Sequence, residues 1–338
     1  MTLSRFLQIY LSSLPYLGWI RSIPTERQKI ITQAYKKLEM VSLNLINRKK
    51  AEIQKEMQGL SKADFDEKEG HYDATGVARG KDLLHLMMRA NMAEDVSEKE
   101  KLSDNELLGQ ITTLLLAGHE TTSTQTTWTL HLLAEHPEIQ RKLREEIHEH
   151  FGKGMERQIG YDEISSMKYL DCVVKEAMRF SSPVPTTIRV SSEDDVIPLS
   201  RSYHCHNDPS KTFDRIPISK GQEILIPIQA FNLSTDIWGP TAQQFDPTRW
   251  FEESLPSNAR NSGLPLHLLT FIAGPRGCIG NRFAIAEFKA LLVGLVGRFN
   301  FESVQGWEVE PKQTIVVRPR IVGQEHVGPQ MPLRISRI

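Results

Sequence analysis

A mainly helical chain with a small β region is what this sequence predicts, and three observations carry that expectation. Apolar residues recur at helical spacing through much of the first half. Capping residues and a proline mark helix starts at Ser103 and Pro137. After residue 185 the pattern changes to short β-type runs separated by Pro, Gly and Asp. With 338 residues and 39% hydrophobic side chains, the chain can bury a large core. Its 41 basic and 42 acidic residues nearly cancel, which gives no argument for a nucleic-acid partner.

Residues 3–20, "LSRFLQIYLSSLPYLGWI", are fairly apolar but are interrupted by Arg5 and Pro15. They read as a membrane-surface or core-packing segment, because a span needs roughly 20 mostly apolar residues. Thr25 and Gln28 have capping-box spacing, and Ile31, Ala34, Tyr35, Leu38 and Val41 follow on one helical face. "NRKKAEIQKEM" extends that helix as a solvated face. Residues 59–80 are polar and aperiodic, a long surface loop, and 82–90 form a short amphipathic helix. Ser103 with Glu106 opens a long helix over 104–135, residues 136–151 form another, and 167–180 a third, stopped by "SSPVP". "TTIRV", "EILIPI" and "TIVVR" are the expected strands, 200–215 reads as a polar loop, and a last helix covers 281–299.

The three cysteines, Cys172, Cys205 and Cys278, are too few and scattered for a disulfide framework and fit a reducing compartment. No zinc-type spacing is present, and "HCH" at 204–206 reads as polar loop. Cys172 lies four residues before Glu176 on an apolar helix and reads as core packing. Cys278, in "FIAGPRGCIG" (271–280), has a different setting. Gly274, Gly277 and Gly280 allow sharp turns that aim peptide N–H groups at the sulfur, and the helix behind it favours negative charge. Arg276 can pair with a ligand carboxylate, and Phe271 can wall the sulfur from water. This predicts a dry, solitary thiolate under a flat anionic cofactor, and an axial thiolate is one way to hold haem iron. The alternative is an ordinary buried cysteine in a glycine turn.

Two further clusters carry chemistry. In "LAGHETTS" (116–123), Gly118 lets a flat ligand or O2 approach the backbone, beside an acid, Glu120, and a hydroxyl, Thr121. A hydroxyl that holds an oxygen species while an acid relays protons is general acid work; a polar helix surface is the other reading. In "KEAMR", Glu176 and Arg179 share a helix face, and Arg249 in "FDPTRW" offers a third member. Such a set fits structural locking better than catalysis.

Phe-x-x-Gly-x-Arg-x-Cys-x-Gly at 271–280 resembles the haem-binding signature of the cytochrome P450 superfamily at every fixed position. "AGHETT" is similar to that family's oxygen-activation motif, and Glu176, Arg179 and Arg249 resemble its Glu-x-x-Arg pair and later arginine. The resemblance implies the P450 fold in one partial domain over 1–338, of the eukaryotic microsomal type and lacking roughly its N-terminal third. It implies haem b (iron protoporphyrin IX) bound through Cys278, with Phe271, Gly274, Arg276, Gly280 and Gly118 around it. Arg189 in "PVPTTIRV" corresponds to an arginine that contacts a haem propionate. Glu120 and Thr121 would be the catalytic pair. Implied partners are O2, a small apolar organic substrate and an NADPH-dependent flavoprotein reductase, since no Gly-rich nucleotide fingerprint is visible in this chain. The expected location is the cytosolic face of the endoplasmic reticulum membrane. A non-catalytic haem-binding fragment and, against the acid–Thr pair, a haem-thiolate isomerase or peroxide-user are the alternatives.

Overall fold

The computed structural model describes residues 26–57, 82–93, 97, 99–155 and 159–338. The segment 3–20, Thr25 of the first capping box and the loop 59–80 lie outside the described residues. Internal packing divides the chain into two units, one up to Leu116 and one over Ala117–Ile338.

In the first unit, α1 (Glu26–Met57) and α2 (Leu83–Asn91) precede α3 (Asp104–Glu135), whose first part belongs here. The packed stripe of α1 differs from the expected one. Tyr35 and Val41 are exposed, whereas Ser42, Ile46, Lys49 and Ile53 are buried at spacings of three and four. Lys49 and Ile53 fall within the part read as a solvated face, so the packed stripe runs through it. The stripe meets Met88 of α2 and Leu107 and Ile111 of α3. Lys49 snorkels out of this stripe to Asp82 at 2.8 Å, and Asp82 also caps α2 by accepting from the His85 N–H at 2.8 Å. The Ser103–Glu106 capping box is formed. The Ser103 N–H donates to Glu106 Oε2 at 2.8 Å, and the Glu106 N–H donates to Ser103 Oγ at 3.3 Å.

The second unit continues α3 and adds α4 (Pro137–Phe151), α5 (Tyr161–Ser166), α6 (Lys168–Phe180), three short helices α7 (Ile228–Asn232), α8 (Thr235–Trp238) and α9 (Ser257–Arg260), and α10 (Asn281–Val296). Its core is built from α4, α6 and α10, with Leu143, Ile147, Leu170, Val174, Leu292 and Val296 fully buried. Leu143 and Ile147, and Leu292 and Val296, are each four apart, so each pair lies on one helix face.

The β region consists of two-stranded antiparallel pairs. β1 (Thr187–Val190) pairs with β4 (Glu223–Ile226), β2 (Asp195–Cys205) with β3 (Asp208–Ile218), β5 (Phe299–Ser303) with β8 (Leu333–Arg337), and β6 (Val309–Gln313) with β7 (Val317–Ile321). The stretch 200–215, read as a loop, is a hairpin. Nearly every residue of β2 and β3 is exposed, so the in–out alternation that reveals a half-buried strand is missing. "TIVVR" contributes only its end to a strand, which runs on to Ile321. The Trp128 indole N–H donates to the Val317 carbonyl at 2.7 Å and ties β7 to α3.

Candidate functional site

The loop carrying Cys278 is shaped by its backbone before any side chain is considered. Gly274 has φ +73°, a left-handed conformation that glycine adopts freely. A Cβ at Gly277 would sit 3.1 Å from the Gly274 carbonyl oxygen. Ile272 also has positive φ, +58°, which costs energy for a β-branched residue. Two peptide N–H groups of the loop are used within it. The Cys278 N–H donates to the Phe271 carbonyl at 2.8 Å and the Gly277 N–H to the Gly274 carbonyl at 2.9 Å, which closes the loop on itself. The N-terminus of α10 follows at Asn281, so the helix dipole remains to favour a thiolate. Gly280 has φ −89°, which any residue adopts, and a Cβ there would meet nothing within 4 Å. Of the three glycines expected to turn sharply, Gly274 takes the left-handed backbone and Gly280 does not.

Cys278 lies on a cavity of about 310 Å³ that also takes in Thr121, Arg189, Phe271, Arg276 and Ala284. Cys278 and Arg276 border this cavity, and Phe271 forms part of its wall. Arg189 is held in place by hydrogen bonds from its Nη1 to Thr187 Oγ1 at 3.0 Å and to the Ile188 carbonyl at 2.9 Å.

On α3, Thr121 faces the cavity, and its hydroxyl donates to the Ala117 carbonyl at 2.7 Å. Glu120 does not face it. Consecutive helical side chains point about 100° apart, and Glu120 lies in a separate recess with Ser123, Thr127 and Arg318. There it accepts a hydrogen bond from Arg318 Nε at 2.9 Å. Gly118 does not line the cavity, and a Cβ on it would meet nothing within 4 Å.

The structure brings Glu176, Arg179 and Arg249 together. Glu176 and Arg179 are fully buried and paired through two parallel bonds of 2.8 Å. Arg249 Nε lies 3.5 Å from Glu176 Oε1. The remaining capacity of the pair is satisfied: Arg179 donates to the carbonyls of Asn232, Ala242 and Gln244, and Glu176 accepts from the Asp246 N–H and the Trp250 indole. Asn232 was missed in the sequence. Its Nδ2 donates to Ser182 Oγ and Thr270 Oγ1, and its Oδ1 accepts the Leu269 N–H, so it fastens the segment before the cysteine loop to the residues just after α6. An isolated Asn followed by "LST" carries no motif that would reveal this. Cys172 is buried, and burial pushes its thiol up to about 11, as an inert packing residue requires.

Among the described residues, a cysteine, two arginines and no carboxylate line one cavity. That donor set suits a ligand with a metal at one face and anionic groups at its edge, and with a long helix across the cavity it defines the haem-thiolate class of protein. The sequence comparison narrows the class. The cytochrome P450 family model matches residues 3–322. Cytochrome P450 monooxygenase 205 of Postia placenta is 39% identical over 320 residues, covering 94% of this chain and 55% of that protein. Cytochrome P450 monooxygenase 128 of the same organism is 37% identical over 339 residues, covering 97% and 59%. Among solved structures, the cytochrome P450DA heme domain superposes with a TM-score of 0.60 at 27% identity, over 77% of this chain and 50% of that domain. The chain belongs to the cytochrome P450 family, in which haem is held by a cysteine thiolate. It spans little more than half the length of these curated relatives.

Proposed function

We propose that this chain is the haem-thiolate part of a monooxygenase, and the observation that carries the reading is that Cys278, Thr121, Arg189 and Arg276 line one cavity. The Cys278 sulfur would hold the iron of haem b, and the Arg189 and Arg276 guanidiniums would pair with its carboxylates. Bound there, the haem would supply O2 activation, placing one oxygen atom in an apolar organic substrate and releasing the other as water. Thr121 Oγ1 donates its own hydrogen to the Ala117 carbonyl and presents lone pairs to the cavity, where they would accept a hydrogen from a bound oxygen species, while Glu120 in its neighbouring recess would be the acid of the pair. Met178, Pro183, Val184, Ile228 and Phe288 give the chamber an apolar lining and support an apolar substrate. We assign the electrons to NADPH through a separate flavoprotein reductase, and the whole protein to the cytosolic face of the endoplasmic reticulum membrane. No helix among the described residues is long and apolar enough to cross a membrane.

The test is the spectrum of the haem-loaded chain, reduced and exposed to CO. A strongly red-shifted Soret band is expected, and Cys278→Ala should abolish it. Haem uptake without the thiolate spectrum, or no uptake, would overturn the reading. One observation favours a second reading, haem binding without turnover: Glu120 is drawn to Arg318 and away from the cavity. Reductase- and NADPH-dependent loss of substrate separates the two.

A further inference from the structure

Two buried polar side chains on the cavity wall have hydrogen-bonding capacity that the protein does not use. Thr122 is 6% exposed and Gln125 4%, and both line the cavity that holds Thr121 and Cys278. Neither Thr122 Oγ1 nor Gln125 Oε1 has a hydrogen-bond partner among the described residues. Buried polar groups are nearly always satisfied, so each such pair calls for a partner.

The rest of α3 shows how unusual this is. The hydroxyls of Thr121, Thr126, Thr127 and Thr129 each donate to the carbonyl four residues earlier, at 2.7–2.8 Å. The Thr122 hydroxyl does not. The orientation of the Gln125 side-chain amide is fixed by the Thr129 hydroxyl. Thr129 Oγ1 donates its only hydrogen to the Gln125 carbonyl, so it can only accept from the side-chain amide. Gln125 Nε2 therefore faces Thr129, at 3.3 Å, and Oε1 is left as an open acceptor.

Residues three apart on a helix are neighbours on one face. Gln125 Oε1 can only accept, and the Thr122 hydroxyl hydrogen is not donated to the helix, so a group that satisfies the first and takes up the second must donate to Gln125 Oε1 and accept from Thr122 Oγ1. A ketone cannot do the first, and an ammonium cannot do the second. A hydroxyl does both. We propose that Thr122 and Gln125 form a subsite for a hydroxyl oxygen, which places an alcohol group on the otherwise apolar substrate. The proposal rests on reading the cavity as the haem and substrate chamber. Water has the same hydrogen-bonding chemistry and must be told apart by experiment.

The test uses the full chain loaded with haem, with cyclohexanol and cyclohexane as probes, and dissociation constants read from the haem absorption band. Thr122→Val and Gln125→Leu should each weaken cyclohexanol by about three- to tenfold, the range of one net hydrogen bond, and leave cyclohexane unchanged. Thr122→Ser should restore cyclohexanol binding. Equal effects on both probes, or none, would overturn the proposal. So would a crystal structure in which Thr122 donates directly to Gln125 Oε1, or in which a bridging water stays while the variants treat the two probes alike. The reduced CO spectrum is recorded for each protein first, because its loss bears on the haem reading and not on the subsite. For any variant that takes up no haem, the same probes are compared on the haem-free chain through the ligand-induced shift in Tm, with the same selective loss expected.

Discussion

Glu120 and Thr121 are neighbours in the chain that end up in different recesses, and their substitutions should separate accordingly. With Thr121 on the cavity and Glu120 paired to Arg318, Thr121→Ala should release reduced oxygen as peroxide in place of product. Glu120→Gln should slow turnover with a smaller loss of coupling. The ratio of product to electrons consumed measures both, and equal ratios in the two variants would contradict the geometry. At this scale the sequence was most legible where chemistry forces a rare pattern. Cys278 stands out because glycines, an arginine and a helix start surround it. Gln125 does not, because an amide among threonines and serines reads as helix surface until the structure shows that side buried.

Elements were legible where their ends carry signals. Ser103, Glu106 and Pro137 marked helix starts that the structure places at Asp104 and Pro137. The buried stripe of α1 was misplaced because Lys49 sits in it, and a lysine with its stem buried looks like a surface residue in the sequence. The β2–β3 hairpin was missed because neither face is covered. Two predictions belong to elements. Glu176→Gln leaves the Arg179 charge buried without its counterion, which should cost about 3–5 kcal/mol; the midpoint of denaturant unfolding measures it. The second concerns α6 and α10, joined by Asp171, which lies 2.6 Å from Lys175 and 2.7 Å from Lys289. Burial alone would raise the Asp171 carboxyl, but hydrogen bonds from the two lysines outweigh it and hold it below its ordinary value of 3.8. A carboxyl depressed in the folded state contributes stability that is present above 3.8 and is lost as pH falls through its lower, folded value. Asp171→Asn should therefore flatten the acid limb of stability against pH and leave its slope near neutrality unchanged.

For the molecule as a whole, haem and folding should be linked. A ligand that binds the folded chain alone stabilises it by an amount that grows with concentration, about 2.7 kcal/mol at 100 times Kd. The Tm of this chain should rise with added haem, and Cys278→Ala should blunt the rise; a Tm indifferent to haem in both would argue against a site in the folded chain. The same scale exposes apolar side chains beside the cysteine loop, with Ile279 99% and Phe283 64% accessible. The overall helical class was legible because periodicity survives averaging over long segments, whereas the two units of packing leave no composition break at Leu116.

The bond from Thr121 to Ala117 fixes a direction. A backbone carbonyl can only receive, so the threonine has given away its one hydrogen before any visitor arrives. Whatever sits opposite must bring its own, which makes this side chain an anchor for incoming protons rather than their origin, and leaves their delivery to a different route through the protein.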